Sequence, residues 1–384
     1  MSPLLRRATA ATERAPRPVK VPPFLLEALR DGPMALAGGA PSDGRLALAV
    51  VIPPFRRGSG GHRTIADLIR GLEARGHRVD VWLVDDEGRH DSEDDGQIAS
   101  LFGRFFGPVQ ASVRRLSLDA PAFGTVDVAL ATGWQTVPAV LRTAGARSRA
   151  YLVQDHEPDF YAESAEREWA AWTYRQGLHC ICASPWLAEL VATTYGAATS
   201  SFDLGVAHEH YHPLPTHRRD DLVLFYARPV TPRRATALGV LALEELHRRR
   251  PDIELACFGD ARPLATSFPH RHLGVLAPDR LAHAYASATV GLVLSLTNPS
   301  LVPTEMLACG LPVVDARVPS MEATFGPDGP IKLADLHPIA IADAIEALLD
   351  DLEARAEQTR SGLELVASRT WDGAAAQVEA GLRK

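Results

Sequence analysis

LVLFYARPVTPRRA (residues 222–235) and LSLTNPSLVPTEMLACGLPVV (294–314) organise the reading of the whole chain. The first is an apolar run that predicts a buried strand, closed by a loop that delivers Arg228 and then Arg233. The second predicts another buried strand, a polar loop, a short helix opened by Pro303 with Glu305 in its first turn, and a third strand. Continuous apolar strands separated by helices belong to a parallel sheet covered on both faces. Ligands of such sheets bind beyond the carboxyl ends of the strands. Two arginines beside a helix N-terminus at that edge predict a receptacle for a diphosphate, the anionic half of a nucleotide-sugar.

The same alternation extends in both directions. Upstream, RLALAVVIPPF (45–55) predicts a strand, the segment after GSGGH (58–62) an amphipathic helix, and VDVWLV a second strand. Further strands are expected at 126–133, 148–155, 178–184 and 199–206. The proline-punctuated segment GVAHEHYHPLPTHRRDD (205–221) reads as a linker, after which strands and helices resume. Two similar doubly wound α/β domains follow, at 45–210 and 211–368, with a last helix at 369–384 returning to the first. Residues 1–44, rich in Pro, Ala, Arg and Gly, are expected to form an arm that is mostly mobile or draped on the surface, with room for one short helix in VPPFLLEALRD (21–31).

Bulk properties narrow the function classes. A chain of 384 residues has room for two domains. Its 40 basic and 47 acidic residues give a net charge of −7, so it lacks the basic footprint of a nucleic-acid binder. Cys180, Cys182, Cys257 and Cys309 lie in apolar runs and read as core residues. No apolar run approaches a membrane span, and the N-terminus lacks the apolar core of a secretory signal. A cytoplasmic location is expected, with room left for peripheral contact at the inner membrane face and for a homo-oligomer.

Several motifs carry chemistry. The glycines of GSGGH, Gly60 and Gly61 among them, let a ligand approach the backbone at a helix start. QDHEPDFY (154–161) sets Asp155, His156 and Glu157 at a strand's carboxyl end, where a carboxylate or imidazole could take a hydroxyl proton or stabilise positive charge; helix capping is the alternative. Glu305 could hold a sugar hydroxyl, although a carboxylate near a helix start is electrostatically comfortable anyway. Backbone amides at Ser300, Leu301 and Val302 are matching anion donors, and Asn298 lies in the same loop. The turn at Gly274–Leu276 would flank a nucleotide base. His208, His210, His212 and His217 are dense enough to raise a metal site, but they occupy the linker without a nearby thiolate.

The C-terminal half resembles the family-4 glycosyltransferases. The matching segments are GVAHEHYHPLP as the linker, ARPVTPRRA as the arginine loop with a second basic residue five positions on, and NPSLVPTEMLACGLPVV as the loop and helix ending the paired-glutamate motif at Glu305. Thr297 stands where the first glutamate of that pair would fall. Gln-Asp-x-Glu-Pro at 154–158 and Ser-Pro-Trp-Leu at 184–187 are similar to rhamnosyltransferases of bacterial surface-polysaccharide synthesis. The resemblance implies a GT-B fold, two Rossmann-like domains facing across a cleft. It implies transfer of a sugar, such as L-rhamnose from dTDP-rhamnose, to a glycan or lipid-linked hydroxyl. Retention at the anomeric centre is implied too; if the reaction inverts, Asp155 or Glu157 is the candidate base. Arg228 and Arg233 would then neutralise the leaving diphosphate, with no metal or other cofactor expected. The alternatives are a sugar-nucleotide epimerase and a non-catalytic nucleotide-sugar-binding subunit. A dehydrogenase is disfavoured because the first turn lacks G-x-G-x-x-G.

Overall fold

The structure, a computed structural model, describes residues 21–39, 42, 44–85, 88–119 and 121–384. The first domain is built on β1 (Ala47–Ile52), β2 (Arg78–Leu83), β3 (Ser112–Arg115), β4 (Ala122–Ala131), β5 (Ala144–Val153), β6 (His179–Cys182) and β7 (Thr199–Ser201). These strands lie in the order β3-β2-β1-β4-β5-β6-β7, each parallel to its neighbour. The second domain uses β8 (Leu222–Tyr226), β9 (Glu254–Phe258), β10 (Arg271–Gly274), β11 (Val290–Leu292), β12 (Val313–Ala316) and β13 (Ile331–Ala334). Their order is β10-β9-β8-β11-β12-β13, again all parallel.

Helices cover both faces of each sheet, which is why the central strands are apolar throughout rather than alternating. One face of the first sheet buries Leu48, Val50 and Ile52 against the helix Gly60–Ala74. The other buries Ala49 and Val51 with the helix Val137–Arg142. The second sheet divides its core in the same way, with Leu224 on one side and Val223 and Phe225 on the other. All four cysteines are buried and unbridged, and burial pushes the Cys180, Cys257 and Cys309 thiols up to about 12.

In each sheet the strand order reverses once, between β1 and β4 and between β8 and β11. The loops leaving the carboxyl ends of those four strands are where a doubly wound sheet opens a crevice. They contain the Gly58–Gly61 turn, Gly133, the Arg228–Arg233 loop and Thr297–Ser300.

The chain crosses between domains twice. After β7 it runs through Gly205 and Val206, and it returns beside them at Arg369–Trp371, where Val206 N–H donates to the Arg369 carbonyl at 3.0 Å. The helix Trp371–Leu382 then lies on the first domain, with Gly71 so close to Ala375 that a Cβ on the glycine would sit 2.4 Å from the alanine's.

Two expectations change. The arm is draped rather than mobile over residues 21–39: the short helix expected there runs Leu25–Asp31 and buries Leu25 and Ala28 on the first domain. Met34 N–H donates to Leu141 O at 2.9 Å, and Ala37 N–H to Ala146 O at 2.8 Å. Residues 1–20, 40, 41 and 43 of that arm lie outside the described residues. The helix carrying Glu305 starts at Leu301, so Pro303 sits within its first turn and Glu305 falls in the second. Proline is tolerated there because the first N–H groups of a helix lack an intrahelical acceptor.

Candidate functional site

The first domain brings two loops to the gap. After β1, His62 staples the glycine turn: its Nε2 lies 3.1 Å from the Pro53 carbonyl and its Nδ1 2.8 Å from Ser59 Oγ. Burial pushes the His62 imidazole down to about 4, so the staple is uncharged at neutral pH. Beyond Gly60 there is open space, and Gly61 faces the Gln154 side chain.

After β5, Asp155, His156 and Glu157 diverge. Asp155 points across the gap and is buried there. His156 turns away, with Nδ1 2.7 Å from Asp159 Oδ2, Nε2 2.7 Å from the Tyr195 hydroxyl, and its ring stacked on Tyr174. Glu157 lies beneath the loop, accepting from the Tyr151 hydroxyl at 2.7 Å and from Trp134 N–H at 2.7 Å. Burial pushes the Glu157 carboxyl up to about 7; those two donors oppose the shift, and the Asp155 charge adds to it. The three neighbours in sequence therefore do not form one cluster facing the gap.

The second domain answers with the loops after β8 and β11. Arg228 is tied by its backbone N–H to Thr236 Oγ1 at 3.1 Å, and its guanidinium donates to the Gly58 carbonyl at 3.2 Å. Arg233 forms an ion pair with Asp155 at 2.8 Å, and its guanidinium carbon lies 3.9 Å from the Phe160 ring centroid. Both arginines reach the first domain. The buried Arg234 holds this loop from below by donating to Ser295 Oγ at 3.1 Å, while Ser295 donates to Asp315. Burial pushes Asp315 up to about 7.

Asn298 has its side chain in the first domain. Its Nδ2 donates to Gln154 O at 3.1 Å and to Ala183 O at 3.0 Å, and its Oδ1 accepts from Ser184 Oγ at 2.7 Å. Its backbone N–H donates to Asp155 Oδ1 at 3.0 Å, and the Thr297 hydroxyl donates to Asp155 Oδ2 at 3.0 Å. Ser300 precedes the helix without capping it, and its buried hydroxyl has no partner among the described residues. Leu301 is half-buried and Val302 buried in the first turn.

Glu305 lies farther along that helix, half-buried, accepting a long 3.4 Å bond from the Tyr285 hydroxyl. Burial pushes its carboxyl up to about 7, opposed by Tyr285 and by the charge of Arg63 on the first domain. Gly274, with a left-handed φ of 70°, ends β10, and the Val275 side chain meets Gly58 across the gap; Leu276 follows, half-buried. Two of the linker histidines serve as fasteners: His208 Nε2 lies 3.2 Å from Arg369 O, and His210 Nδ1 lies 2.8 Å from Asp279. Among the described residues no three His, Cys, Asp or Glu side chains converge as a metal site would require.

Residue-level reading missed Arg234, Ser295 and Asp315, which shape the arginine loop, and Arg63, Tyr211 and Tyr285 around Glu305. The doubled arginine at 233–234 was the one visible signal for the first group.

Comparison with known proteins agrees with this architecture. Residues 58–201 match Glycosyltransferase Family 4, and residues 221–346 match the WsaF C-terminal domain. The chain is 29% identical over 360 residues to the O-antigen biosynthesis protein RfbC of Myxococcus xanthus, covering 91% of this chain and 28% of RfbC. It is 31% identical over 183 residues to a D-inositol 3-phosphate glycosyltransferase of Corynebacterium glutamicum (strain R), 43% of each. The chain thus spans less than half the length of these curated relatives. Anabaena HepE, solved in complex with UDP-glucose, superposes with a TM-score of 0.68 at 16% identity, over 88% of this chain and 99% of that one. TarM gives 0.66 at 9% identity over the same shares. The Glycosyltransferase Family 4 match thus falls in the first Rossmann-like domain and the WsaF C-terminal match in the second, within one GT-B fold.

Proposed function

We propose that the protein transfers a sugar from a nucleotide-diphosphate donor to a hydroxyl of a glycan or lipid-linked oligosaccharide in surface-polysaccharide synthesis. One observation carries this reading: the two sheet reversals face each other, and Arg228 and Arg233 span the space between them. The relatives are consistent with it, one being an O-antigen biosynthesis protein and a structural neighbour holding UDP-glucose. L-Rhamnose from dTDP-rhamnose is the donor we favour, on the resemblance of the 154–158 and 184–187 segments.

In this mechanism the sugar–phosphate bond breaks, the acceptor oxygen bonds to the anomeric carbon, and the acceptor's proton passes to an oxygen of the departing diphosphate, on which negative charge builds. Arg228 and Arg233 neutralise that charge, assisted by the amides of Ser300, Leu301 and Val302, in the role a bound metal plays elsewhere. Glu305, with its carboxyl near neutrality, accepts from hydroxyls of the nucleotide's ribose. The turn at 274–276 borders the base, and the acceptor enters over Gly60 and Gly61. Glu157 is enclosed, so its part is to hold the loop that presents Asp155.

The first test is a thermal-shift screen with dTDP, UDP and GDP, since a ligand at 100 times its Kd stabilises the native state by about 2.7 kcal/mol. We expect one nucleotide to raise Tm and its sugar conjugate to be consumed only with a glycan acceptor. No shift with any of the three contradicts the reading. Turnover of the donor without an acceptor would indicate an epimerase or a hydrolase instead.

A further inference from the structure

We propose that the Arg233 guanidinium, the Thr297 hydroxyl and the Asn298 backbone amide form an anion-binding corner, which the Asp155 carboxylate fills until a phosphate group of the donor displaces it. This rests on the nucleotide-sugar reading above and adds an internal competitor to it.

The geometry is that of an occupied oxyanion site. Asp155 Oδ2 pairs with Arg233 at 2.8 Å and accepts from Thr297 Oγ1 at 3.0 Å. Asp155 Oδ1 accepts from Asn298 N–H at 3.0 Å and from His156 N–H at 2.9 Å. Three of these four partners belong to the second domain, Arg233 through its charge and the other two as hydrogen-bond donors, and they come from the two loops that leave β8 and β11. A guanidinium, a main-chain amide and a hydroxyl converging on one carboxylate form a donor set equally suited to phosphate oxygens. The Leu296 N–H bond to the Arg233 carbonyl, 3.1 Å, keeps both loops in register, so the corner persists whichever anion fills it.

Competition follows from charge and from occupancy. Asp155 already accepts three hydrogen bonds and carries the ion pair with Arg233, so it is engaged with the corner and turned from a substrate hydroxyl while the contact lasts. A phosphate brought to the same donors would stand within a few ångströms of a second anion, an arrangement that two like charges resist. Donor entry and the Asp155 contact are therefore mutually exclusive. Displacement separates the domains at this point and leaves Asp155 exposed at the end of β5, on the acceptor side.

The test uses inorganic pyrophosphate and then the stabilising nucleoside diphosphate, titrated by calorimetry into the full chain. Asp155→Asn removes the competing charge and should bind about tenfold tighter than wild type, within the usual range of coupling between sites. Arg233→Ala should lose binding in both backgrounds. Asn298→Ala, which loosens the interface but keeps the Asp155 charge, should gain less than Asp155→Asn. Equal or weaker binding by Asp155→Asn, where wild type binds, overturns the proposal alone. Failure of every protein to bind either anion overturns it together with the donor reading. If Asp155→Asn does not fold, X-ray scattering on wild type decides: pyrophosphate should increase its radius of gyration, and an unchanged or smaller radius refutes displacement.

Discussion

The Arg228 guanidinium donates to the carbonyl of Gly58, 3.2 Å away on the opposite domain. This contact joins a strand-end loop of one sheet to the glycine turn of the other, and it holds a cation where a diphosphate would lie. Arg228→Ala should lower kcat on the order of 10²–10³, as for loss of a transition-state charge partner. Circular dichroism should show an intact fold. Full activity in a folded variant would remove Arg228 from the mechanism.

Asn298→Ala strips partners from Gln154 O, Ala183 O and Ser184 Oγ, all on the first domain. Each unsatisfied buried group costs about 1–3 kcal/mol, softened where water enters. The variant should melt earlier and be cut faster by protease within the 205–221 linker. An unchanged melting profile would show that the interface does not depend on this side chain.

The positions of the strands were largely legible, and those of the contacts were not. RLALAVVIPPF and LVLFYAR announce β1 and β8 because strands buried on both faces must be apolar throughout. The edge strands β3 (SVRR) and β13 (IKLA) escaped: each has four residues, and β3 carries Arg114 and Arg115. The arginine loop and Glu305 were visible from spacing. The divergence of Asp155, His156 and Glu157 was not, because three adjacent residues in an irregular turn have no fixed period. Nor could periodicity reveal that Asn298 anchors in the other domain, since a side chain's partner 114 residues away leaves no local pattern. The short helix of the arm was legible in VPPFLLEALRD, but its docking was foreseen only as an alternative to mobility, and Leu25 and Ala28 are what seat it.

Gly71→Leu should detach the last helix. A Cβ there would lie 2.4 Å from that of Ala375, so either the helix Trp371–Leu382 shifts or the core strains. Overpacking of this kind costs about 1–3 kcal/mol. Hydrogen exchange should quicken across residues 371–382 while strands β8 to β12 keep their protection. Undiminished protection of that helix would contradict the close packing.

Glu305→Gln should change how stability depends on pH. Burial raises the folded carboxyl to about 7, above its value in the unfolded chain. Such a group favours the native state while protonated, and that contribution is lost as pH rises toward the folded pKa. Glutamine has nothing to lose, so the variant's Tm should gain on wild type between about pH 5 and about pH 8. A constant difference over that range would contradict a Glu305 carboxyl raised by its surroundings.

The most direct test of nucleotide binding between the domains is a hydrogen-exchange footprint of wild type with the nucleoside diphosphate that stabilises it. Slowed exchange is expected at residues 228–236 and 298–305, with β13 unaffected. Protection confined to other segments, or absent at saturating nucleotide, would contradict it.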